Sequence, residues 1–278
     1  TAHVLKFCKF EDMRCLFVLI FLTAANIQAQ VQDAATPFSG MADVDCASFS
    51  PWCVFSNQAG ISRTDRIAVG VSYRQVLGLH ELSIKSLFAL LPTRWGVPAI
   101  TYSHFGYEKY NEQLIGLAYG RRLGRFLNIG VKIDYLYSFV AKQPQVRQAF
   151  FFETGILIAL PENILCGLHV YNPGDIARLT APEQLYVAEA YAIAVSWQPD
   201  SMFLLAMQSD RIDGVWYFSV GTAFTYNNLL TFRGGLKNRY NKIYAGVGCL
   251  LDFMELTLDY NTHPQRGNTL GISLCGKF

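Results

Sequence analysis

Nine ionisable side chains, Arg66, Arg74, Lys132, Asp134, Glu153, His169, Arg233, Glu255 and Asp259, fall in stretches whose alternate positions are apolar. A charge in such a setting must face an interior and meet either water or a partner. Two chemistries fit: a polar conduit or ligand site, and a set of ion pairs that ties one part of the chain to another. Mixed signs at scattered heights favour ion pairs, because a selectivity filter gathers one sign at one level. Catalysis has less support. The histidines are His3, His80, His104, His169 and His263, none at metal-ligand spacing from a partner, and no Gly-x-Ser-x-Gly elbow or phosphate-binding glycine loop is present. Ser103 stands next to His104, but neighbours in a strand point to opposite faces and cannot act as nucleophile and base for each other. The reading is therefore non-enzymatic, with no metal and no cofactor.

The elements that carry these charges are strands. In Phe126 to Phe139, one parity holds Leu127, Ile129, Val131, Ile133, Tyr135, Tyr137 and Phe139, and the other holds Asn128, Gly130, Lys132, Asp134 and Ser138. Period-two alternation gives one apolar and one polar face. The pattern recurs from Arg66 to Val76, Trp216 to Tyr226, Met254 to Tyr260 and Leu270 to Phe278. Counting on this basis gives about fourteen strands between Arg66 and Phe278. A soluble sandwich alternates as well, so the connections decide. Every second one is minimal: Pro92 to Trp95, Gly124-Arg125, Pro161 to Asn163, Pro199-Asp200, Asn227-Asn228 and Asp252. The intervening set includes Val140 to Arg147, Tyr171 to Leu185 and Asn261 to Arg266. Sorting by parity suits a transmembrane antiparallel β-barrel with short turns on the periplasmic side and both termini there.

Composition agrees. The chain is 51% hydrophobic and 14% aromatic, yet after the N-terminus no wholly apolar stretch reaches the ~20 residues of a spanning helix. A net charge of +2 without a basic run excludes a nucleic-acid footprint. At the N-terminus, Met13-Arg14, the apolar run Cys15 to Ala25 and Asn26-Ile27-Gln28-Ala29 have the parts of a secretory signal. Residues 1–29 are thus expected to be upstream sequence and signal, with Met13 as the start and cleavage after Ala29. Lipid acylation is not expected, since no cysteine stands at the position after that site that a lipoprotein needs. Of the seven cysteines, Cys166, Cys249 and Cys275 lie in strands and behave as small hydrophobes, while Cys46 and Cys53 form the one local pair, either a disulfide or two buried thiols.

Residues 30–64 are too long for a leader and alternate too poorly for strands, so they read as a folded plug, or hatch, inside a barrel of residues 65–278. Gly40-Met41-Ala42-Asp43-Val44, followed by Trp52 to Ile61 with Asn57-Gln58-Ala59-Gly60 at its core, resembles the small-residue segment and Asn-Pro-Ala-Gly-Leu hatch motif of the FadL-like outer-membrane family. Gln58 stands where that motif has proline. Gly167-Leu168-His169-Val170-Tyr171-Asn172-Pro173, before a long outer loop, resembles the Bacteroidetes branch that includes the PorV and PorQ barrels of type IX secretion. The likeness implies a bacterial outer-membrane location with lipid as a partner, and two functions. One is an accessory or structural subunit of an outer-membrane assembly such as type IX secretion, with a secretion-machinery partner. The alternative is a transporter of small hydrophobic compounds or fatty acids. Small size and short outer loops favour the first; a break in a strand, with Pro98 as its best candidate, would favour the second. At the C-terminus, Leu270, Ile272, Leu274, Gly276 and Phe278 alternate up to a final aromatic, which resembles an outer-membrane assembly signal.

Overall fold

The computed structural model describes residues 34–141, 147–177, 187–238, 242–263 and 267–278. The expected signal segment, residues 1–29, lies outside them, as do the middle of the long outer loop and the first residues of the expected hatch. Fourteen strands close into one antiparallel barrel in which each pairs with its sequence neighbours and the first with the last. They are β1 (Ala68–Gln75), β2 (Ser83–Leu90), β3 (Val97–Tyr107), β4 (Tyr110–Leu123), β5 (Leu127–Val140), β6 (Arg147–Ala159) and β7 (Ile164–Tyr171), then β8 (Ala190–Trp197), β9 (Phe203–Ile212), β10 (Val215–Tyr226), β11 (Leu230–Lys237), β12 (Lys242–Leu251), β13 (Met254–His263) and β14 (Gly267–Lys277). Closure runs through Ala68 opposite Lys277 to Gln75 opposite Leu270. A closed sheet leaves no unpaired edge, the condition for strands to cross lipid.

Alternation decides which face of each strand meets lipid. On β5, Val131 and Ile133 are exposed outward, whereas Asn128, Lys132, Asp134 and Ser138 are buried inward. The same division holds on β10, where Trp216, Phe218, Val220 and Phe224 are outside and Ser219 and Ala223 inside, and on β13, with Leu256 and Leu258 outside and Thr257 and Asp259 inside. No helix among the described residues is long and apolar enough to cross a membrane. Ser103 and His104 face opposite ways on β3, and Ser103 Oγ donates to Ser86 Oγ at 3.0 Å rather than to a histidine.

The end of the barrel where β1 begins and β14 finishes, the near end, carries the six tight turns expected from the sequence. Asn227 and Asn228 both take positive φ (50° and 53°) in the three-residue connection between Tyr226 and Leu230, a turn whose twist matches the strands. Not every far-end connection is long. β3–β4 and β9–β10 are joined there by two residues each, Glu108-Lys109 and Asp213-Gly214. The second is again a positive-φ pair (50° and 83°). Asp-Gly is itself a hairpin signal, so this turn was legible locally.

Two expectations are corrected. Pro98 does not interrupt β3: it is the second residue of an unbroken strand, paired with Tyr119, and its carbonyl accepts from Leu91 N at 3.0 Å. Proline is tolerated at this strand start because its missing N–H falls where the ladder to β2 ends. Arg66 is not in the lumen; it is exposed in the segment that precedes β1, because the inward alternation begins only at Ala68.

At the other terminus, Phe278 is 72% exposed and is held by one backbone bond, Phe278 N to Ile67 O at 2.8 Å. Deleting Phe278 is therefore expected to slow assembly, leaving protease-sensitive periplasmic protein, while stability in detergent changes by less than about 1 kcal/mol because so few contacts are lost. Pulse-chase protease protection set beside unfolding of refolded protein separates the two effects. A parallel loss in both would make Phe278 merely structural.

Candidate functional site: the filled lumen

The N-terminal segment is built from three short 3-10 turns, each opened by a residue type suited to capping. Thr36 caps Pro37–Met41 in a capping box with Ser39, Ser50 caps Pro51–Phe55, and Asn57 caps Gln58–Arg63. Prolines at the start of the first two cost no hydrogen bond there. This segment packs against inward-facing residues of the wall. Trp52, Cys53, Val54 and Ile61 are fully buried with wall residues such as Phe88, Leu90 and Ala118 in one apolar core at the near end. The Trp52 ring meets Phe88 edge-on at 4.9 Å between centroids.

Glycines let the segment come so close. Gly130 on β5, Gly155 on β6, Gly167 on β7, Gly221 on β10 and Gly235 on β11 all point inward, and a Cβ on any of them would lie closer than 3.0 Å to atoms of residues 41–58. Gly40 and Gly246 on β12 likewise meet backbone to backbone. A side chain there would have to push the segment away, since the opposing atoms are mostly main chain. The sequence puts Gly130 on the polar parity of its strand and Gly167 in a motif without marking a packing role for either; the signal is that each of these glycines occupies the inward parity of its strand, where the core would otherwise place a branched side chain.

Asn57 and Gln58 are the polar fasteners. Asn57, with no exposed surface, donates from Nδ2 to Cys46 O (2.7 Å), Ile156 O (3.2 Å) and Leu168 O (3.4 Å), and its Oδ1 accepts from Ala59 N at 3.1 Å. One amide thus joins the segment to β6 and β7. Gln58 Nε2 donates to Glu153 Oε2 at 2.6 Å. Ala59 is buried against Gly130, and a Cβ at Gly60 would strike Ser48 O and Cys53. On the next two strands of the wall, Gln208 of β9 accepts from the backbone N–H groups of Asp45 and Cys46 (3.1 and 3.0 Å), and Ser196 of β8 donates to Ala47 O (2.6 Å). Neither Gln208 nor Ser196 was singled out from sequence, because an inward polar residue carries no local mark of its partner.

The inward charges fall into separate groups. Lys132 Nζ lies 2.8 Å from Glu153 Oε1 and 2.9 Å from Asp134 Oδ1, and His169 Nε2 lies 3.0 Å from Glu153 Oε2. The Lys132–Asp134 contact is an ion pair by distance but is poorly aligned, leaving both Asp134 oxygens without a hydrogen bond. Arg233 pairs with Glu255 at 2.9 Å, and Asp259 stands nearby without a hydrogen-bond donor. Arg74 bonds Ser39 Oγ and lies 3.3 Å from Asp43, the one ion pair among the described residues that reaches the N-terminal segment. The segment is thus fastened chiefly by neutral hydrogen bonds and close packing. Lys132→Met should leave buried Asp134 without a counter-ion and Glu153 with His169 alone, and lower barrel stability by about 3–5 kcal/mol. Urea unfolding in detergent measures this, and a loss below about 1 kcal/mol would mean that the group is solvated.

Above this charged layer, the inner wall turns apolar again. Ile84, Phe105, Leu114, Leu136, Ala149, Phe151 and Tyr171 form a second cluster at the far end, covered by Ala177 and Val187 from the β7–β8 connection. Asn172 fixes that connection from both sides, donating to Val187 O (2.9 Å) and accepting from Ala177 N (3.0 Å). Along its axis the lumen is therefore apolar and filled, then charged, then apolar.

All five cysteines among the described residues are free. Burial, and secondarily the charge of Asp45, push the Cys46 and Cys53 thiols well above their ordinary range, which keeps both protonated and unreactive. Among the described residues no group of three or more His, Cys, Asp and Glu side chains could hold a metal ion.

No family model and no curated protein sequence matches the chain. Solved structures do resemble it. The CymD monoaromatic hydrocarbon channel superposes with a TM-score of 0.66 at 9% identity, over 90% of this chain and 98% of that one. The Pseudomonas putida toluene transporter TodX gives 0.61 at 9%, over 88% and 98%, and a Pseudomonas aeruginosa FadL homologue 0.59 at 9%, over 88% and 98%. At such identity the likeness is one of fold. The chain shares the β-barrel fold of the hydrocarbon channel, the toluene transporter and the FadL homologue.

Proposed function

We propose that this barrel is a plugged outer-membrane channel for small hydrophobic compounds, with residues 34–64 as the plug. The observation that carries the proposal is the second apolar cluster. A water-filled conduit has a polar interior, whereas here Leu136, Phe151 and their neighbours line the far end beyond the charged layer. Such a lining suits a ligand that leaves water as it enters. The fold shared with hydrocarbon channels supports the reading, and it favours the transport alternative over an accessory role in secretion.

In this reading the far end faces the exterior, and the segment between near end and charged layer blocks free diffusion. Movement of ligand then requires the Asn57 and Gln58 fasteners to yield. Uptake of a labelled monoaromatic hydrocarbon, with a long-chain fatty acid as the comparison, by outer-membrane vesicles with and without the protein tests the assignment. Faster entry of either compound supports transport and selects the ligand class. The two-residue far-end turns at Glu108-Lys109 and Asp213-Gly214 leave little loop to capture a ligand, and they favour the second reading, an accessory barrel of PorV or PorQ type in a secretion assembly. A stoichiometric protein partner on purification from native membranes, together with no uptake, would select it.

A further inference from the structure

At the near-end rim a cleft of about 450 Å³ is lined by Arg63 of the N-terminal segment, Arg122 and Arg125 flanking the β4–β5 turn, and Phe126, Leu160 and Pro161. Its three guanidinium groups are held by neutral partners. Arg63 stacks on the Phe49 ring with its Cζ 4.1 Å from the centroid, Arg125 lies 5.3 Å from that of Phe126, and Arg122 Nε donates to Gly124 O at 2.9 Å. None of the three belongs to an ion pair among the described residues, although Asp65 and Glu162 lie close in sequence to the cleft. Burial and the charge of Arg122 act together to lower the pKa of Arg63, the mark of cations gathered without an anion. The cleft is lined by the exposed apolar side chains Phe126 and Leu160, each more than 40% exposed, and exposed Leu123 follows Arg122 on β4. Three cations above an apolar flank is the complement of one molecule: a phosphate head with acyl chains attached.

We propose that this cleft is a binding site for an anionic phospholipid of the inner leaflet, its phosphate held by Arg63, Arg122 and Arg125 and its chains laid along Leu123, Phe126 and Leu160. Because Arg63 ends the 3-10 turn that begins with Gln58, a lipid held there would tie the last turn of the N-terminal segment to the membrane as well as to the wall. The β6 and N-terminal-segment sides of the cleft are fixed to the start of β5 independently of lipid: Ala159 N donates to Phe126 O at 2.8 Å, and Ser62 Oγ donates to Asn128 Oδ1 at 3.0 Å. The site is thus preorganised, and its occupation should require no rearrangement of the barrel.

The test uses the full barrel in mixed micelles, with native mass spectrometry reading the lipid retained from equal amounts of phosphatidylglycerol and phosphatidylcholine of matched chains. The wild-type protein should retain one phosphatidylglycerol with a preference of roughly tenfold or more. Arg63→Gln/Arg122→Gln/Arg125→Gln should fall to parity while keeping heat-modifiable gel mobility, and Arg211→Gln at the far end should keep the full preference. Equal retention of the two lipids by the wild type needs no variant to interpret, and would overturn the site. So would undiminished preference in the triple variant. Displacement of the lipid by millimolar inorganic phosphate would reassign the cleft to a free anion and overturn the lipid proposal.

Discussion

Deleting Asp43 to Gly60 is expected to yield a barrel that still inserts but conducts ions in planar bilayers, where the intact protein stays closed. About fourteen strands enclose more space than their own side chains can fill, and here the missing volume is supplied by the segment that carries Trp52, Cys53 and Val54. Gly130→Val should act in the same direction with a single change. Its Cβ would meet Gln58 and Ala59 main-chain atoms closer than 3.0 Å, so the wall and the segment cannot both keep their places, at a cost of about 1–3 kcal/mol. Because wall strands are paired on both sides and the segment is fastened by a few hydrogen bonds, the segment should move first. Gly234→Val is the control: this glycine lies on the outward parity of β11, and a Cβ there meets nothing within 4 Å. Intact protein that conducts as strongly as the deletion would remove the plug from the account. Silent bilayers with Gly130→Val alone would mean that the segment shifts without opening a path.

Ile133→Arg should be the most damaging single change on the outer surface. Ile133 lies mid-strand on β5 and is 63% exposed to lipid, where an arginine costs roughly 2–4 kcal/mol at the bilayer midplane but only about 0–1 near the interface. Leu127→Arg, on the same face but at the first residue of β5, should therefore insert almost normally. Comparing these two positions isolates depth from face. An inward comparison at Asn128 would not serve, because Asn128 has no exposed surface and accepts from Ser62 Oγ while donating to Leu157 O at 3.1 Å. Arginine there would collide with the segment for reasons unrelated to lipid. Folded fractions from heat-modifiable gel mobility decide the matter, and equal fractions for Ile133→Arg and Leu127→Arg would show that depth does not govern insertion here.

Strand number, strand faces and the near-end turns were legible in the sequence because each is encoded locally. Alternation places Ile133 outward and Lys132 inward from their neighbours alone, and Asn227-Asn228 specifies its turn from two residues. The caps Thr36, Ser50 and Asn57 are local in the same sense, since each acts within three residues. The partners of the inward residues belong to a different class. Lys132, Glu153 and His169 come from three successive strands, and Gln58 reaches Glu153 across 95 positions of chain; that meeting exists only once register and closure are set. Register also decides that Gly130, Gly155, Gly167, Gly221 and Gly235 face one buried segment, although as residues they differ in nothing from Gly234. Arg66, counted inward by parity, falls outside because alternation says nothing of where a strand begins. The arginine cleft depends on the same long-range placement: Arg63 and Arg122 lie 59 positions apart in the chain and meet only because the N-terminal segment packs back against the wall before β1 begins. Local backbone chemistry thus chose the strands and their faces, and the closed sheet, by bringing distant positions to one level of the lumen, chose the contacts.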